Sequence, residues 1–399
     1  MNHIYHAPQK PQPPTEGWES FEKSVRRKLD NLRVRGRDRY LRQTQMGEQG
    51  IDLTHNDYLG LRSDAIFQAQ CRQAIETLPV GSGASRLLGG EHEIYSLAEN
   101  AFSQFKKAES SLLFTSGYAA NEALISALAH LPNVRFFVDR LCHASTVDGI
   151  KLAGSSREKF SFFHHQDLTD LEIHLKDSNA DINFIVTEAV FSMDGDIAPV
   201  SEIQSLCRKY RGCLILDEAH SLGVFGDHGQ GLAGTSETSH DHIITINPCG
   251  KAFGCQGAFV CGPRWLNQWL INRARSFIFS TGISPWVAAS LNQAIQYIPT
   301  LKNRRQKLLG LGQTLRQDLL NLDYNIGLSE SHIIPIIVGS ESKSIQLSHW
   351  LQDHGVLIKA IRPPTVPTND CRLRLSLHSE LEQRHMETLS HLLKAARLA

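Results

Sequence analysis

Residues Ser110–Leu131 read SSLLFTSGYAANEALISALAHL: an apolar strand, a glycine turn at Gly117, then a helix. The same grammar recurs along the chain. VRFFVDRLCHAST begins at Val134, NFIVTEAVFSMDG at Asn183, CLILDEAHSLG at Cys213 and HIITINPCGK at His242, each a strand ending in a polar turn. Strands alternating with helical patterns predict an α/β fold with a mainly parallel central sheet. In open sheets of that kind, ligands sit beyond the carboxyl ends of the strands. There the polar residues accumulate: Gly117, His143, Ser192, Asp217, His220 and Lys251.

Working outward, a Pro-rich start (Pro8, Pro11, Pro13, Pro14) leads into an amphipathic helix with Trp18, Phe21, Val25, Leu29 and Leu32 on one face. A basic run follows, Arg33, Arg35, Arg37, Arg39 and Arg42. Charge pattern alone makes it a solvated face; the sharper reading is an anion site at the mouth of a cleft. After Ser284 the register changes to a long helical stretch from Trp286 through Leu320. Strand candidates HIIPIIVG (from His332) and CRLRLSL (from Cys371) then flank a helix from Ser342 to His354. The expected organisation is a tail and helical arm (1–50), a large domain (51–284) and a smaller C-terminal α+β domain (285–399).

The 41 basic and 41 acidic residues cancel, which excludes the basic surplus of a long nucleic-acid footprint. No apolar run approaches the roughly 18 residues of a membrane span, and the N-terminus lacks the apolar core of a secretory signal. Eight scattered cysteines without a CxxC pair fit reduced thiols in a cytoplasmic enzyme, not a disulfide framework. The step Cys249, Cys255, Cys261 lacks zinc-ligand spacing, so no metal is expected. His164 and His165 have no local partner and read as surface or turn histidines.

Gly250-Lys251 is not a P-loop, because the earlier glycine is missing and Ala252 follows the lysine. GSGASRLLGG (Gly81–Gly90) places Arg86 where a dinucleotide fingerprint needs its third glycine. Lys251, however, lies between apolar runs and is flanked by Gly250 and Gly254. A lysine taken partly out of water loses its proton more readily and becomes a nucleophile toward carbonyl carbon. Asp217 ends a strand, where it can cap a helix or pair with a pyridine nitrogen. His220 lies on the same side of the turn, within reach of a phenolic oxygen on that ring. Gly117 opens a helix whose free N–H groups suit a phosphate. A lysine, an aspartate and a phosphate nest together specify pyridoxal 5'-phosphate.

Those residues fall in strings that resemble the α-oxoamine synthases, pyridoxal-phosphate enzymes of fold type I. The strings are NDYLGL (Asn56–Leu61), TSGYAAN (Thr115–Asn121), DRLCHAS (Asp139–Ser145), TEAVFSMDGDIAP (Thr187–Pro199) and DEAHSLGVFG (Asp217–Gly226). The resemblance runs from about Trp18 to the C-terminus. It implies that Lys251 forms the covalent link to the cofactor and later removes an α-proton. Asp217 would pair with the pyridine nitrogen, Ser192 and His220 with the phenolic oxygen, and His143 would stack on the ring. Gly117 and Tyr118 would bind the phosphate through backbone N–H groups, joined by Ser280 and Thr281 of a neighbouring subunit in a homodimer with shared sites. Asn56 and Arg374 would hold the substrate carboxylate, with His143 beside it, and Arg37 and Thr365 would contact the acyl substrate.

The string AIRPPTVP (Ala360–Pro367) resembles the biotin-pathway branch. It implies decarboxylative joining of L-alanine to a pimeloyl thioester, carried by coenzyme A or by an acyl-carrier protein. Two other readings stay open: a different amino acid and acyl thioester, as in glycine C-acetyltransferases, and a non-catalytic descendant of the fold. One position departs from the family pattern. Pro248 stands three residues before the lysine, where a hydroxyl residue usually meets the phosphate, and proline offers neither hydroxyl nor N–H. The neighbouring Asn247 carries an amide that would compensate.

Overall fold

A computed structural model describes residues 16–34, 36–39, 41, 50–154, 156, 158–234 and 242–398. The Pro-rich start, Arg35 and Arg42 lie outside them. Twelve strands occur among the described residues: β1 (Ile51–Asp52), β2 (Ser110–Phe114), β3 (Val134–Asp139), β4 (Phe160–Phe163), β5 (Ile182–Glu188), β6 (Gly212–Asp217), β7 (Ile243–Pro248), β8 (Ala258–Gly262), β9 (Ile333–Gly339), β10 (Val356–Leu357), β11 (Ala360–Ile361) and β12 (Cys371–Ser376). Seven of them form one sheet in the order β2-β8-β7-β6-β5-β3-β4. Only β8 runs against its neighbours there, so the expected α/β fold with a mainly parallel sheet is what the chain adopts.

Helices cover both faces of this sheet, which is why its strands read as unbroken apolar runs rather than alternating ones. Phe136, Ile185, Leu214, Ile215 and Ile246 are all buried. Register does the positioning. Glu188 lies opposite Asp217, and Asp217 opposite Ile246, so β5 and β6 end level while β7 runs on to Pro248. The turns after them therefore open onto one edge.

The C-terminal strands β11, β12 and β9 make a separate antiparallel sheet. The helix Glu341–Asp353 packs on it, close to the expected 342–354. The long helix expected from Trp286 to Leu320 is instead two, Pro285–Tyr297 and Lys302–Asn321, joined by a 3-10 turn at Ile298–Leu301. Pro299 explains the break, because it has no N–H to continue the ladder and its ring crowds the preceding turn.

Residues 51–58 are tied to the C-terminal part rather than to the large sheet. Ile51 pairs with Val356, the Ser376 N–H donates to the Leu53 carbonyl at 3.2 Å, and the Ser379 N–H donates to Tyr58 at 2.8 Å. Asn56 and Tyr58 are thereby laid against β12.

Candidate active site

The helix Gly117–Leu128 starts at the carboxyl end of β2. Ser116 caps it, its hydroxyl accepting from the Ala119 N–H, while the Ser116 carbonyl takes the Ala120 N–H. No acceptor among the described residues takes the N–H groups of Gly117 and Tyr118. Two free donors at the positive end of a helix dipole make an anion site. A side chain at Gly117 would meet the Pro248 ring at 2.6 Å, so only glycine lets the helix start this close to β7.

Asp217 ends β6 and is buried. The Asn121 amide donates to its Oδ2 at 2.7 Å and the Ala219 N–H to its Oδ1 at 2.9 Å, fixing the carboxylate plane. Thr146 in turn donates to the Asn121 carbonyl oxygen at 3.3 Å. Glu188, beside Asp217 on β5, is buried with Oε1 unpartnered. Burial first, then the Asp217 charge, raises its pKa.

Lys251 follows β7 on a turn and is half-buried. Burial lowers its pKa to about 8 against the pull of Asp217 and Glu188, so a neutral amine is accessible near pH 7. Its Nζ lies 2.9 Å from Nε2 of the buried His220. On the other side of that ring, Nδ1 lies 2.5 Å from the Tyr58 hydroxyl. Burial, then the nearby Lys251 and Arg374 charges, holds the His220 pKa well below its ordinary value, and the imidazole is neutral.

Arg374 of β12 reaches into the same edge. It donates through Nη1 to Asn56 Oδ1 at 2.9 Å, through Nη2 to the Tyr58 hydroxyl at 3.4 Å, and through Nε to the Ser192 carbonyl at 2.5 Å. Lys251, His220, Asn56, Arg374 and Ser192 thus belong to one connected cluster. His143 caps the helix after β3 and is exposed at the mouth, its ring 6.2 Å from that of Tyr118. The phenol of Tyr118 points away to Asp148.

Two expected groups stand apart. Ser280 and the exposed Thr281 line a narrow crevice with Arg86 and Thr115. Arg37 lines a cleft of about 610 Å³ with Leu29, Leu32, Pro363 and Pro364. Its Nη2 donates to Glu341 at 3.2 Å, while its buried Nε has no partner. Thr365 is exposed on the adjoining loop, which Arg362 ties to the Gly36 carbonyl.

Two expectations fail on contact with the fold. Asn247 cannot stand in for the missing hydroxyl, because strand side chains alternate and Pro248 faces Gly117. Asn247 points the other way, fully buried, its amide donating to Thr245 at 2.8 Å and to the Phe259 carbonyl at 3.1 Å. His165 is no free turn histidine. It lies 3.0 Å from Asp139 and 2.7 Å from Asp196, and although burial opposes charge, those two carboxylates raise its pKa to about 10.

The set fits pyridoxal phosphate by its donor chemistry: an amine of depressed pKa, a buried carboxylate held in plane, and two orphan N–H groups at a helix start. A fold-type I architecture carrying such a set defines a pyridoxal-phosphate-dependent transferase.

Residues 48–391 match the family described as Aminotransferase class I and II. The chain is 40% identical over 347 residues to the 8-amino-7-oxononanoate synthase of Chromobacterium violaceum, covering 87% of this chain and 89% of that one. Among solved structures it resembles the 8-amino-7-oxononanoate synthase of Francisella tularensis at a TM-score of 0.74 and 28% identity, covering 88% of this chain and 100% of that one. It also resembles the Sphingomonas wittichii serine palmitoyltransferase at a TM-score of 0.83 and 26% identity, covering 94% and 97%. The chain belongs to the aminotransferase class I and II family and, within it, to the 8-amino-7-oxononanoate synthases, the branch of the α-oxoamine synthases that its motifs resemble. It is an enzyme, and pyridoxal 5'-phosphate is its cofactor.

Sequence reading missed Tyr58, Asn121 and Glu188. Tyr58 and Asn121 lie inside quoted motifs but look like core residues. Glu188 carried a signal, as a carboxylate at the end of a strand that pairs with the strand ending in Asp217.

Proposed function

We propose that the enzyme joins L-alanine to a pimeloyl thioester with loss of carbon dioxide, giving 8-amino-7-oxononanoate and a free thiol in the biotin pathway, in the cytoplasm. The observation that carries this reading is the juxtaposition of a reactive lysine with an Arg374–Asn56 clamp at one sheet edge, in a chain whose relatives bear that name.

When bound, pyridoxal phosphate supplies a protonated ring that delocalises the electron pair left on the α-carbon. The residues of the chain do the rest. Lys251, with its depressed pKa, would hold the cofactor covalently and, as the neutral amine, would take the α-proton at Nζ. Asp217, held by Asn121 and the Ala219 N–H, keeps the pyridine nitrogen protonated. Gly117 and Tyr118 would hold the phosphate, His220 and Ser192 would meet the phenolic oxygen, and His143 would cover the ring. Arg374 and Asn56 receive the alanine carboxylate by charge-assisted hydrogen bonds. Arg37, lining the 610 Å³ cleft, and Thr365, on the loop after Pro363 and Pro364, would receive the acyl chain. Ser280 and Thr281 complete the phosphate site of a partner in a homodimer.

The direct test is the mass of the product formed from pimeloyl-CoA with L-alanine or with glycine at equal concentration. The reading expects the alanine-derived amino ketone in large excess. A preference for glycine moves the chain to another amino acid and acyl pair, and a catalytically silent protein that still takes up cofactor would fit a non-catalytic descendant.

A further inference from the structure

His220 is buried between two groups that make opposite demands on its single imidazole proton. At Nε2, 2.9 Å away, stands Lys251 Nζ. While that amine is a free ammonium it can only donate, so Nε2 must accept and the proton belongs on Nδ1. Once Lys251 is linked to the cofactor, the phenolic oxygen beside it needs a donor, so the proton belongs on Nε2. Whatever touches Nδ1 must therefore accept in one state and donate in the other.

Among the described residues, the Tyr58 hydroxyl is the hydrogen-bond partner of Nδ1, at 2.5 Å. A hydroxyl can do both. When it accepts from Nδ1, its own hydrogen has a second acceptor, Asn56 Oδ1 at 3.2 Å. When it donates to Nδ1, Asn56 Oδ1 is still satisfied by Arg374 Nη1 at 2.9 Å and Ser376 Oγ at 3.0 Å. Arg374 Nη2, 3.4 Å from the phenol oxygen, donates in either arrangement.

The surroundings remove a third possibility, a doubly protonated ring. Burial first, then the Lys251 and Arg374 charges, opposes a positive charge on His220, with smaller opposition from His332 and His143, while the Asp217 and Glu188 carboxyls act on Lys251. Burial also raises the Tyr58 pKa, so the phenol keeps its hydrogen.

We propose that Tyr58 is a positioning residue whose hydroxyl sets the tautomer of His220, accepting from Nδ1 when Lys251 is free and donating to it when Lys251 is cofactor-bound. The imidazole carries one proton in both arrangements, one being taken up at Nε2 as one leaves Nδ1 to water. The inference rests on Lys251 and His220 as cofactor contacts.

The test is nitrogen-15 NMR of the full-length protein labelled at histidine, with His220 assigned through His220→Asn. Ligand-free wild type at pH 6.5 is expected to show Nδ1 protonated, and the pyridoxal-phosphate-loaded protein Nε2 protonated. Tyr58→Phe keeps the ring that packs edge-on against His332 at 4.1 Å, so the fold is retained. It should abolish the reversal and leave mixed tautomers in both forms. In the loaded variant, the midpoint of the visible absorbance against pH should rise by roughly one unit, the scale of one lost hydrogen bond at the cofactor. An unchanged tautomer between ligand-free and loaded wild type overturns the proposal without any variant, as does a normal reversal in Tyr58→Phe. Failure of wild type to take up cofactor at Lys251 would instead count against the catalytic reading, and the ligand-free tautomer would still be readable.

Discussion

Two halves of the site are built in different ways. The Lys251–Asp217–Gly117 half hangs on the ends of β2, β6 and β7, at one edge of the large sheet. The Arg374–Asn56–Tyr58 half is assembled across 318 residues of chain, through β12 and the 51–58 segment clamped to it. The first half is carried by strands of the large sheet alone. The second is completed only by the C-terminal sheet, so on the proposed reading the cofactor contacts and the carboxylate clamp are carried by different sheets.

Substitutions should therefore divide by half. The largest effect is expected from Lys251→Ala, with visible absorbance of the bound cofactor lost and turnover down by at least roughly a thousandfold, as for other covalent nucleophiles. Retained turnover would break the comparison at its centre. Asp217→Asn should lower kcat about a hundredfold, the scale of one misplaced electrostatic group in a buried site, with little change in KM for alanine. Arg374→Lys should do the reverse. Losing the bidentate fork costs about 1.5–3 kcal/mol in charged hydrogen bonds, so KM for alanine should rise roughly ten- to a hundredfold. A kcat-only effect at Arg374 would merge the two halves into one.

The pH dependence sharpens the same point. Because burial lowers the Lys251 pKa to about 8, the neutral amine grows as pH rises toward 8 and saturates above it. Stopped-flow capture of pyridoxal phosphate by ligand-free protein should accelerate about tenfold per pH unit below that value, then level off. A flat profile would mean that the lysine is already neutral. The smallest effect is expected at Pro248, which packs on Gly117 and gives the phosphate no donor. Pro248→Thr should tighten cofactor binding by about tenfold through one added hydrogen bond to a charged group, measured by equilibrium titration.

The same division explains what could be read in advance. The strand-end half was legible because each strand announces itself as an apolar run and closes on its polar residue. Gly117, Asp217 and Lys251 needed no knowledge of distant contacts. Asn56 and Arg374 were reached only by resemblance to a family, since no local pattern says that β12 will lie against residue 56. Tyr58 was hidden for the same reason, a phenol in an apolar string being indistinguishable from core until its neighbours are known. The orientation of Asn247 is legible in the sequence, because a period of two along β7 puts it opposite Pro248. The pairing of His165 is not legible there, as its two carboxylates lie 26 and 31 residues away and meet it only through the ends of the sheet. The face of α1 (Glu16–Val34) carrying Trp18, Phe21, Val25, Leu29 and Leu32 has the expected spacing, yet Trp18 is 58% exposed and Phe21 59% in the single chain.

The most direct test of the account is the balance of products from loaded enzyme given carboxyl-labelled L-alanine with pimeloyl-CoA and, separately, with the pimeloyl-acyl-carrier protein. At least one donor is expected to release free thiol and labelled carbon dioxide in equal amounts, both strictly dependent on alanine. Thiol release without alanine, or none from either donor by a protein that binds cofactor at Lys251, would contradict it.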